Sequence, residues 1–237
     1  KKLKKTIFLL PKSNYEEEIK KAISETKIEI KKLHIYDAEP TKLTKQIEKI
    51  TNYKIRKQNV LDEIKRVKNS DLSDSAKEQK IKKLEKRYTI GNLKFDSIII
   101  SDFDESLKSV ITSLLYTDVL PKNKYIITFN QWFEASLIKE KTLQPIYYPS
   151  INKENLDMFN KKFQDKFDEV PNHLSLLGYD LVGLVYYLSL KHNITEVNNL
   201  FKKKNSFKGK IGIFDIQDNK INHRLSFYKI DEGKLKE

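Results

Sequence analysis

Asp102, Asp104 and Glu105 stand within four residues of one another, directly after the apolar run 96–101 (DSIIIS). Carboxylates so placed have several uses. A pair can pass protons as acid and base, and a cluster can hold a hard cation through oxygen. A helix opening at this point would instead use one Asp as its cap and the Glu to complement its dipole. Ser101 and Asp102 are also positioned to touch a ligand. The spacing leaves these readings open. The other residue types able to do chemistry point away from an enzyme. His34, His173, His192 and His223 form no i, i+3 or i+4 pair and no H-E-x-x-H spacing, so each reads as structural. The chain has no cysteine, which excludes disulfides, thiolate nucleophiles and zinc–thiolate sites. It has only six glycines and lacks G-x-S-x-G, a P-loop and G-x-G-x-x-G. Backbone cannot easily approach a phosphate without glycine, so nucleotide chemistry is not expected. No catalytic residue, metal or cofactor is assigned.

Charge is the next feature. The 237 residues carry a net +13, yet only Arg56, Arg66, Arg87 and Arg224 of the 46 basic residues are arginine. Nucleic-acid readers lean on arginine for bidentate and stacking contacts, so no nucleic-acid partner is expected. Residues 41–94 hold 16 Lys and Arg against 7 Asp and Glu, so +9 of the charge sits there. That run reads either as a solvated face or as a surface for an anionic partner. Twelve Phe and twelve Tyr argue for a packed core. No apolar run reaches the ~18 residues that a bilayer span requires, and 174–190 reads as a core helix.

The elements that would position these residues follow from periodicity. The run 6–10 (TIFLL) reads as a buried strand. Pro11, Lys12, Ser13 and Asn14 supply turn chemistry, with Ser13 or Asn14 as cap for a helix carrying Glu16, Glu17 and Glu18 in its first turn. KLHIY at 32–36 is a second strand, and together they make a β-α-β unit. Helical spacing recurs at Leu43, Ile47 and Ile50, at Val60, Ile64 and Val67, and at Ile81, Leu84 and Tyr88, the last capped by Ser73 or Asp74. DSIIIS at 96–101 is a third strand, followed by a helix burying Leu107, Val110, Ile111 and Leu114. KYIITF at 124–129 is a fourth, with Asn130, Gln131 and Trp132 at its end. Trp132 could stack on a ligand or anchor the core. Phe159 and Phe163 mark a further helix, and Gly178 and Gly183 inside 174–190 suggest close packing there. Residues 212–217 and 224–230 read as strands joined by a turn at 218–220. The predicted class is α/β: a doubly wound, mostly parallel Rossmann-like sheet with its loops after the strands on one edge.

The order of these segments resembles the type 1 periplasmic-binding-protein superfamily, and more narrowly its penicillin-binding protein activator-like group. The resemblance rests on TIFLLPKSNYEEEIKKAI, on KIKKLEKRYTIGNLKFDSIIISD, on KYIITFNQWF, on FNKKFQDKFDEVPNHLSLLGYDLVGLVYYL and on FKGKIGIFDIQDNKINHRLSFYKID. It covers nearly the whole chain through motifs that are individually weak. It implies two Rossmann-like lobes with a cleft, the chain beginning at the second lobe. On that reading 1–144 is the second lobe with a basic helical excursion at 41–94. Residues 145–217 are a partial return to the first lobe, two helices and a strand, and 218–237 close back on the second lobe. Ser13, Asn14, Tyr15, Ser101, Asp102, Asn130, Gln131 and Trp132 would line the cleft, with Tyr179 and Asp180 on the returning lobe. Asn219 stands where the family pattern has glycine, a mild change because Asn tolerates the left-handed conformation.

The resemblance implies a non-catalytic periplasmic module, lipid-anchored in a longer form, that contacts a cell-wall synthase or a wall fragment. A solute receptor of the branched-chain amino acid type, feeding an ABC transporter, is the alternative, and a lysine-rich nucleic-acid binder ranks last. With only part of the first lobe in the sequence, the apolar faces of the helices carrying Phe159, Phe163, Leu177 and Leu181 are expected to lie bare and to self-associate or rearrange.

Overall fold

The computed structural model describes residues 5–26, 28–191, 201–202, 204–210 and 212–237. His192 lies outside them. The chain divides into two compact units. The first holds residues up to Tyr147 together with Lys229–Lys236, and the second holds Tyr148–Tyr228.

The first unit begins with β1 (Thr6–Pro11), whose six residues are all buried, as a continuous apolar run in the middle of a parallel sheet must be. Then come α1 (Glu16–Glu25), β2 (Ile30–Tyr36), α2 (Pro40–Ile50), α3 (Tyr53–Lys68) and α4 (Asp74–Glu85). The core strands β3 (Ser97–Ile100) and β4 (Tyr125–Thr128) follow, separated by α5 (Asp104–Tyr116). After the short α6 (Ala135–Lys139), β5 (Ile146–Ser150) carries the chain into the second unit. It returns along β9 (Ser226–Asp231) and ends in β10 (Lys234–Lys236). The sheet order is β10-β9-β5-β4-β3-β1-β2. β1 pairs in parallel with β2 and β3, β3 with β4, and β4 with β5, while β9 and β10 are antiparallel. This is the mixed, mostly parallel α/β sheet that the strand–helix alternation predicts. The helix α5 buries Leu107, Val110, Ile111 and Leu114, and α2 buries Leu43 and Ile47.

The basic excursion α2–α4 is tied to this core by apolar side chains of α2 and α3, among them Leu43, Ile47, Val60 and Val67, and by a buried cation. Arg56 on α3 donates to the Thr117 carbonyl (3.1 Å) and the Thr89 hydroxyl (2.6 Å), and Thr89 Oγ1 in turn donates to Asp118 (2.5 Å). Ile90 N–H closes the clamp on the Arg56 carbonyl (2.9 Å). α4 buries no residue, and Tyr88 lies beyond its end, 78% exposed, rather than on its apolar face.

The second unit contains α7 (Lys153–Phe167), α8 (His173–Lys191) and a three-stranded antiparallel sheet in the order β6-β7-β8. These strands are β6 (Asn205–Lys208), β7 (Ile213–Gln217) and β8 (Lys220–Arg224). The sequence reading had one strand before the 218–220 turn and a long strand from Arg224. Instead the partner of β7 is β8, and β9 starts separately at Ser226. Asp218 and Asn219 both adopt positive φ (52° and 61°), the geometry of the two-residue hairpin turn that Asx residues tolerate. A buried cluster of Leu184, Leu188 and Ile216 joins α8 to this sheet, with Phe207 and Tyr187 packed against it.

α8 departs from its expected role. It is long and apolar enough to cross a membrane, but only 22% of it is buried, so it is not a core helix among the described residues. Leu176, Asp180, Leu184 and Leu188 form its one buried stripe.

Candidate functional site

In chain order the parallel strands of the first unit run outward from β1 to β2, then reappear on the other side of β1 as β3, β4 and β5. The reversal lies between β1 and β3. In open α/β sheets the crevice outside the carboxyl ends of the strands at such a switch point is where ligands bind. Four strands deliver side chains to this edge: β1 through Ser13, Asn14 and Tyr15, β2 through Tyr36, β3 through Ser101 and Asp102, and β4 through Thr128, Asn130, Gln131 and Trp132.

Asp102 is the centre of the arrangement. It is buried, and Tyr36 Oη donates to its Oδ2 at 2.5 Å while Phe103 N–H donates to Oδ1 at 2.9 Å. Burial pushes the Asp102 carboxyl above its ordinary value, opposed by these two hydrogen bonds, and the Asp104 charge adds to the rise. Burial, the Asp102 bond and charge, and the Tyr15 phenol together raise Tyr36 well above the ordinary tyrosine range. Gln131 fixes the backbone beneath. Its Nε2 donates to the Asp102 carbonyl (3.1 Å), the Thr128 hydroxyl (3.0 Å) and the Phe129 carbonyl (3.3 Å). Thr128 Oγ1 donates to the Ile100 carbonyl (3.0 Å), and Ser101 Oγ to the Leu9 carbonyl (3.2 Å). The ends of β1, β3 and β4 are thereby locked together by side chains.

The loop after β1 is arranged differently from the capping reading. Tyr15 occupies the cap position of α1 without a side-chain cap, and Ser13 meets the helix start only through its backbone carbonyl, which accepts the Glu16 N–H at 3.3 Å. Ser13 Oγ is buried with no partner, while Asn14 and Tyr15 are exposed. Asp102 does not cap α5 either. Phe103 holds that position with no side-chain cap, and Asp104 and Glu105 fall in the first turn, where the helix dipole favours acids. At β4, Asn130 Oδ1 accepts the Trp132 N–H (2.9 Å), holding a turn in which Trp132 and Phe133 both have positive φ (49° and 62°). Trp132 is half-buried.

Two of the sequence-derived residues stand in the other unit. Asp180 is buried on α8, and its Oδ1 accepts the Lys210 N–H at 2.7 Å. A Cβ at Gly209 would meet Asp180 Oδ2 at 2.2 Å, so this glycine is required by the carboxylate beside it. Asp180 therefore anchors the β6–β7 turn. Tyr179 is exposed and packs edge-on against Phe159 at 5.6 Å. Together with Asn155, Gly183 and Phe207 these residues line a cavity of about 380 Å³.

Tyr36 and Thr128 escaped the sequence reading. Tyr36 ends a strand that was recognised, and its place two strands from β3 in the 2-1-3 order was the available signal. No cluster of His, Asp and Glu suited to a metal occurs among the described residues. The histidines take other roles. His34 lies in β2, held below its ordinary range by burial and by Lys32, and His223 stacks on Phe214 at 4.3 Å.

A sheet in the order 2-1-3-4-5 with a polar switch-point edge, joined to a second unit by two strand crossings, defines a class. The chain has the fold of the type 1 periplasmic binding proteins. It is similar over 99% of its length to an extracellular ligand-binding receptor from Verminephrobacter eiseniae, with 11% identity and a TM-score of 0.57, and covers 61% of that chain. A solute-binding protein of an ABC transporter from Rhodopseudomonas palustris, in complex with 3,4-dihydroxybenzoic acid, matches at 12% identity and a TM-score of 0.47, with 58% of its length covered. The LpoA C-domain from Haemophilus influenzae, a regulator of PBP1A, matches at 11% identity and a TM-score of 0.41, with 99% of its length covered. The chain spans about 60% of the length of the receptor structures it resembles. No family model matches the sequence, and no curated protein does.

Proposed function

We propose that the chain is a non-catalytic binding module of the periplasm that takes a small polar ligand at the switch-point edge of its parallel sheet. The observation that carries this reading is the Tyr36–Asp102–Gln131 network, which fixes a buried carboxylate at that edge. An ionised carboxylate has about four acceptor sites, and two are occupied by Tyr36 and Phe103, so Asp102 keeps capacity for a ligand's ammonium or hydroxyl. Ser13 adds an unpaired hydroxyl, and Tyr15 and Trp132 add aromatic faces. Ser101, Asn130 and Gln131 hold the frame by bonding the chain itself. Amino acids and amino-sugar wall fragments have the matching chemistry. Tyr179 and Asp180 are left to the second unit's own packing.

A second reading, docking to a cell-wall synthase as penicillin-binding protein activators do, is favoured by the α2–α4 excursion, which carries most of the net charge and ends in a helix, α4, that buries no residue. Lipid anchoring in a longer form would suit either role.

Thermal shift against a panel of amino acids, amino sugars and muropeptides tests the first reading. A ligand at 100 times its Kd should add about 2.7 kcal/mol of stability. Its affinity should fall at least tenfold in Asp102→Ala, and its binding should change the emission of Trp132, the chain's one tryptophan. If no panel member shifts the transition, and the immobilised chain retains a solubilised synthase through α2–α4, the second reading replaces it.

A further inference from the structure

The outward face of α2 borders a groove. Thr44, Lys45, Glu48 and Lys49 from α2, with Lys54 and Ile55 from the start of α3, line an open cavity of about 860 Å³. Its lining is mostly apolar, built from Ile55, threonine methyls and the aliphatic stems of the lysines. Ile55 is 63% exposed.

The groove is preformed and lies wholly within the first unit. Leu43 and Ile47 fasten α2 to the core from its other face, and Tyr53 and Val60 fasten α3. Between the helices Asn52 takes the left-handed conformation (φ 52°). Its N–H donates to the Lys49 carbonyl (3.2 Å), and its carbonyl accepts the Arg56 N–H (3.0 Å). The Tyr53 ring packs 5.4 Å from that of Tyr116 on α5.

The rim carries charge that the chain leaves unpaired. Among the described residues Lys45, Lys49 and Lys54 have no ion pair, whereas Lys42, one turn earlier, is taken by Asp37 (3.4 Å) and Glu39 (3.3 Å). The +9 of residues 41–94 surrounds them. Lysines on a rim are stable in water, so nothing about the groove calls for cover. Its charge and its floor state what it attracts.

We infer that this groove receives an acidic segment of a partner protein, held by carboxylates on the lysines and by an apolar side chain against Ile55. Charge complementarity selects an anion and draws it in from a distance. Glu48 then narrows the choice. It stands beside Lys45 and Lys49 on the same helix face, where it would repel a continuous row of phosphates in a nucleic acid or polyphosphate. A peptide can place a hydroxyl or an N–H there. A flat plane of lipid headgroups would meet the lysine tips without filling the apolar floor. Residues 41 to 52 span ~17 Å at 1.5 Å per residue, room for about three turns of an amphipathic helix laid in the groove. This goes beyond the small-ligand reading, and it rests on and narrows the docking reading.

Fluorescence anisotropy of a labelled synthetic peptide tests this on the 237-residue chain. The peptide has about fifteen residues, glutamates with leucine at every fourth position, so that the leucines share one helix face. Saturable one-to-one binding is expected. Lys45→Glu/Lys49→Glu should weaken it at least tenfold, and Ile55→Ser at least threefold. Lys80→Glu/Lys83→Glu on α4 makes the same change of charge outside the groove and should weaken it less than twofold. Exchanging the peptide's leucines for serine should cost at least tenfold. The five substituted positions are all exposed, so far-UV circular dichroism should not change. Absence of binding, equal weakening by the two charge reversals, or indifference to the leucines would overturn the proposal. So would binding to phosphatidylglycerol vesicles that Lys45→Glu/Lys49→Glu abolishes while the peptide stays unbound. A solubilised synthase retained equally by the wild type and Lys45→Glu/Lys49→Glu would remove the groove and leave the docking reading standing.

Discussion

Tyr36 and Asp102, 66 residues apart in sequence, meet at 2.5 Å across the end of the strand that separates theirs. β2 and β3 both neighbour β1, so their carboxyl ends flank it, and the phenol reaches over that end to the carboxylate. The contact joins the first β-α-β unit to the second half of the sheet at its reversal point.

Removing the phenolic hydroxyl should expose how much the contact is worth. Tyr36→Phe leaves Asp102 Oδ2 without its donor in a buried site, and a buried group so orphaned costs about 1–3 kcal/mol. Urea unfolding should show a loss of that size. The same substitution removes a bond that lowers the Asp102 pKa, so the carboxyl should titrate higher still. A stability unchanged within error would mean that the bond does not form in solution.

Asp102 also gives the protein a signed pH dependence. Its folded carboxyl titrates above the ordinary value of 3.8, so the folded state holds the proton where the unfolded state has released it. The stability this group contributes is full below pH 3.8 and is lost as pH rises through the raised folded value. The unfolding free energy of the wild type minus that of Asp102→Asn should therefore fall as pH rises from 3.8. A difference that is flat or increases over that range would contradict the burial of the charge.

Arg56 should behave as the fastening of the basic excursion. Arg56→Met leaves the Thr117 carbonyl and the Thr89 hydroxyl without a buried donor, and breaking such a partnership should cost about 3 kcal/mol. Arg56→Lys should rescue little, since a single ammonium cannot serve both directions. Hydrogen exchange should show the Ile90 amide losing protection before those of β1 and β3, because its acceptor is the Arg56 carbonyl. Simultaneous loss everywhere would show that the excursion and the sheet unfold together.

Gly209→Ala should destabilise the second unit by about 1–3 kcal/mol, since the new methyl would fall 2.2 Å from Asp180 Oδ2. Asp180→Ala/Gly209→Ala should lose less than the sum of the two single changes, because the clash is then gone. Additive losses would place the cost of the alanine elsewhere.

The sequence revealed those parts of the fold whose burial is complete and local. β1, β3 and β4 are short continuous apolar runs, and α5 shows its core stripe at Leu107, Val110, Ile111 and Leu114 because one face meets the sheet. The edge residues Asp102 and Gln131 could be placed because strand order puts loops there. Their partners could not be read off, since Tyr36 and Thr128 depend on which strands become neighbours. β8 was missed, and β9 begun two residues early at Arg224, because only Leu225 separates the two strands, with neither glycine nor proline to mark the break. The exposure of α8 was hidden for a different reason. Leu174 and Leu188 are equally apolar in the sequence, but one is 75% exposed and the other fully buried, and composition does not say what covers a face.

The route of the chain through β5 and β9 bears on how the protein is made. The sheet of the first unit includes β9 and β10, so its outer strands are missing until residue 236 has left the ribosome. The whole of 151–225 emerges before them, as an insertion with its own small sheet and buried cluster. During translation the free edge of β5 stays unpaired for the synthesis of some eighty further residues, several seconds at ~5–20 residues per second. A nascent chain in that interval presents an open strand edge and an apolar helix at once. The eleven residues Ser226 to Lys236 are then a closing latch whose deletion should hinder biogenesis far more than their number suggests.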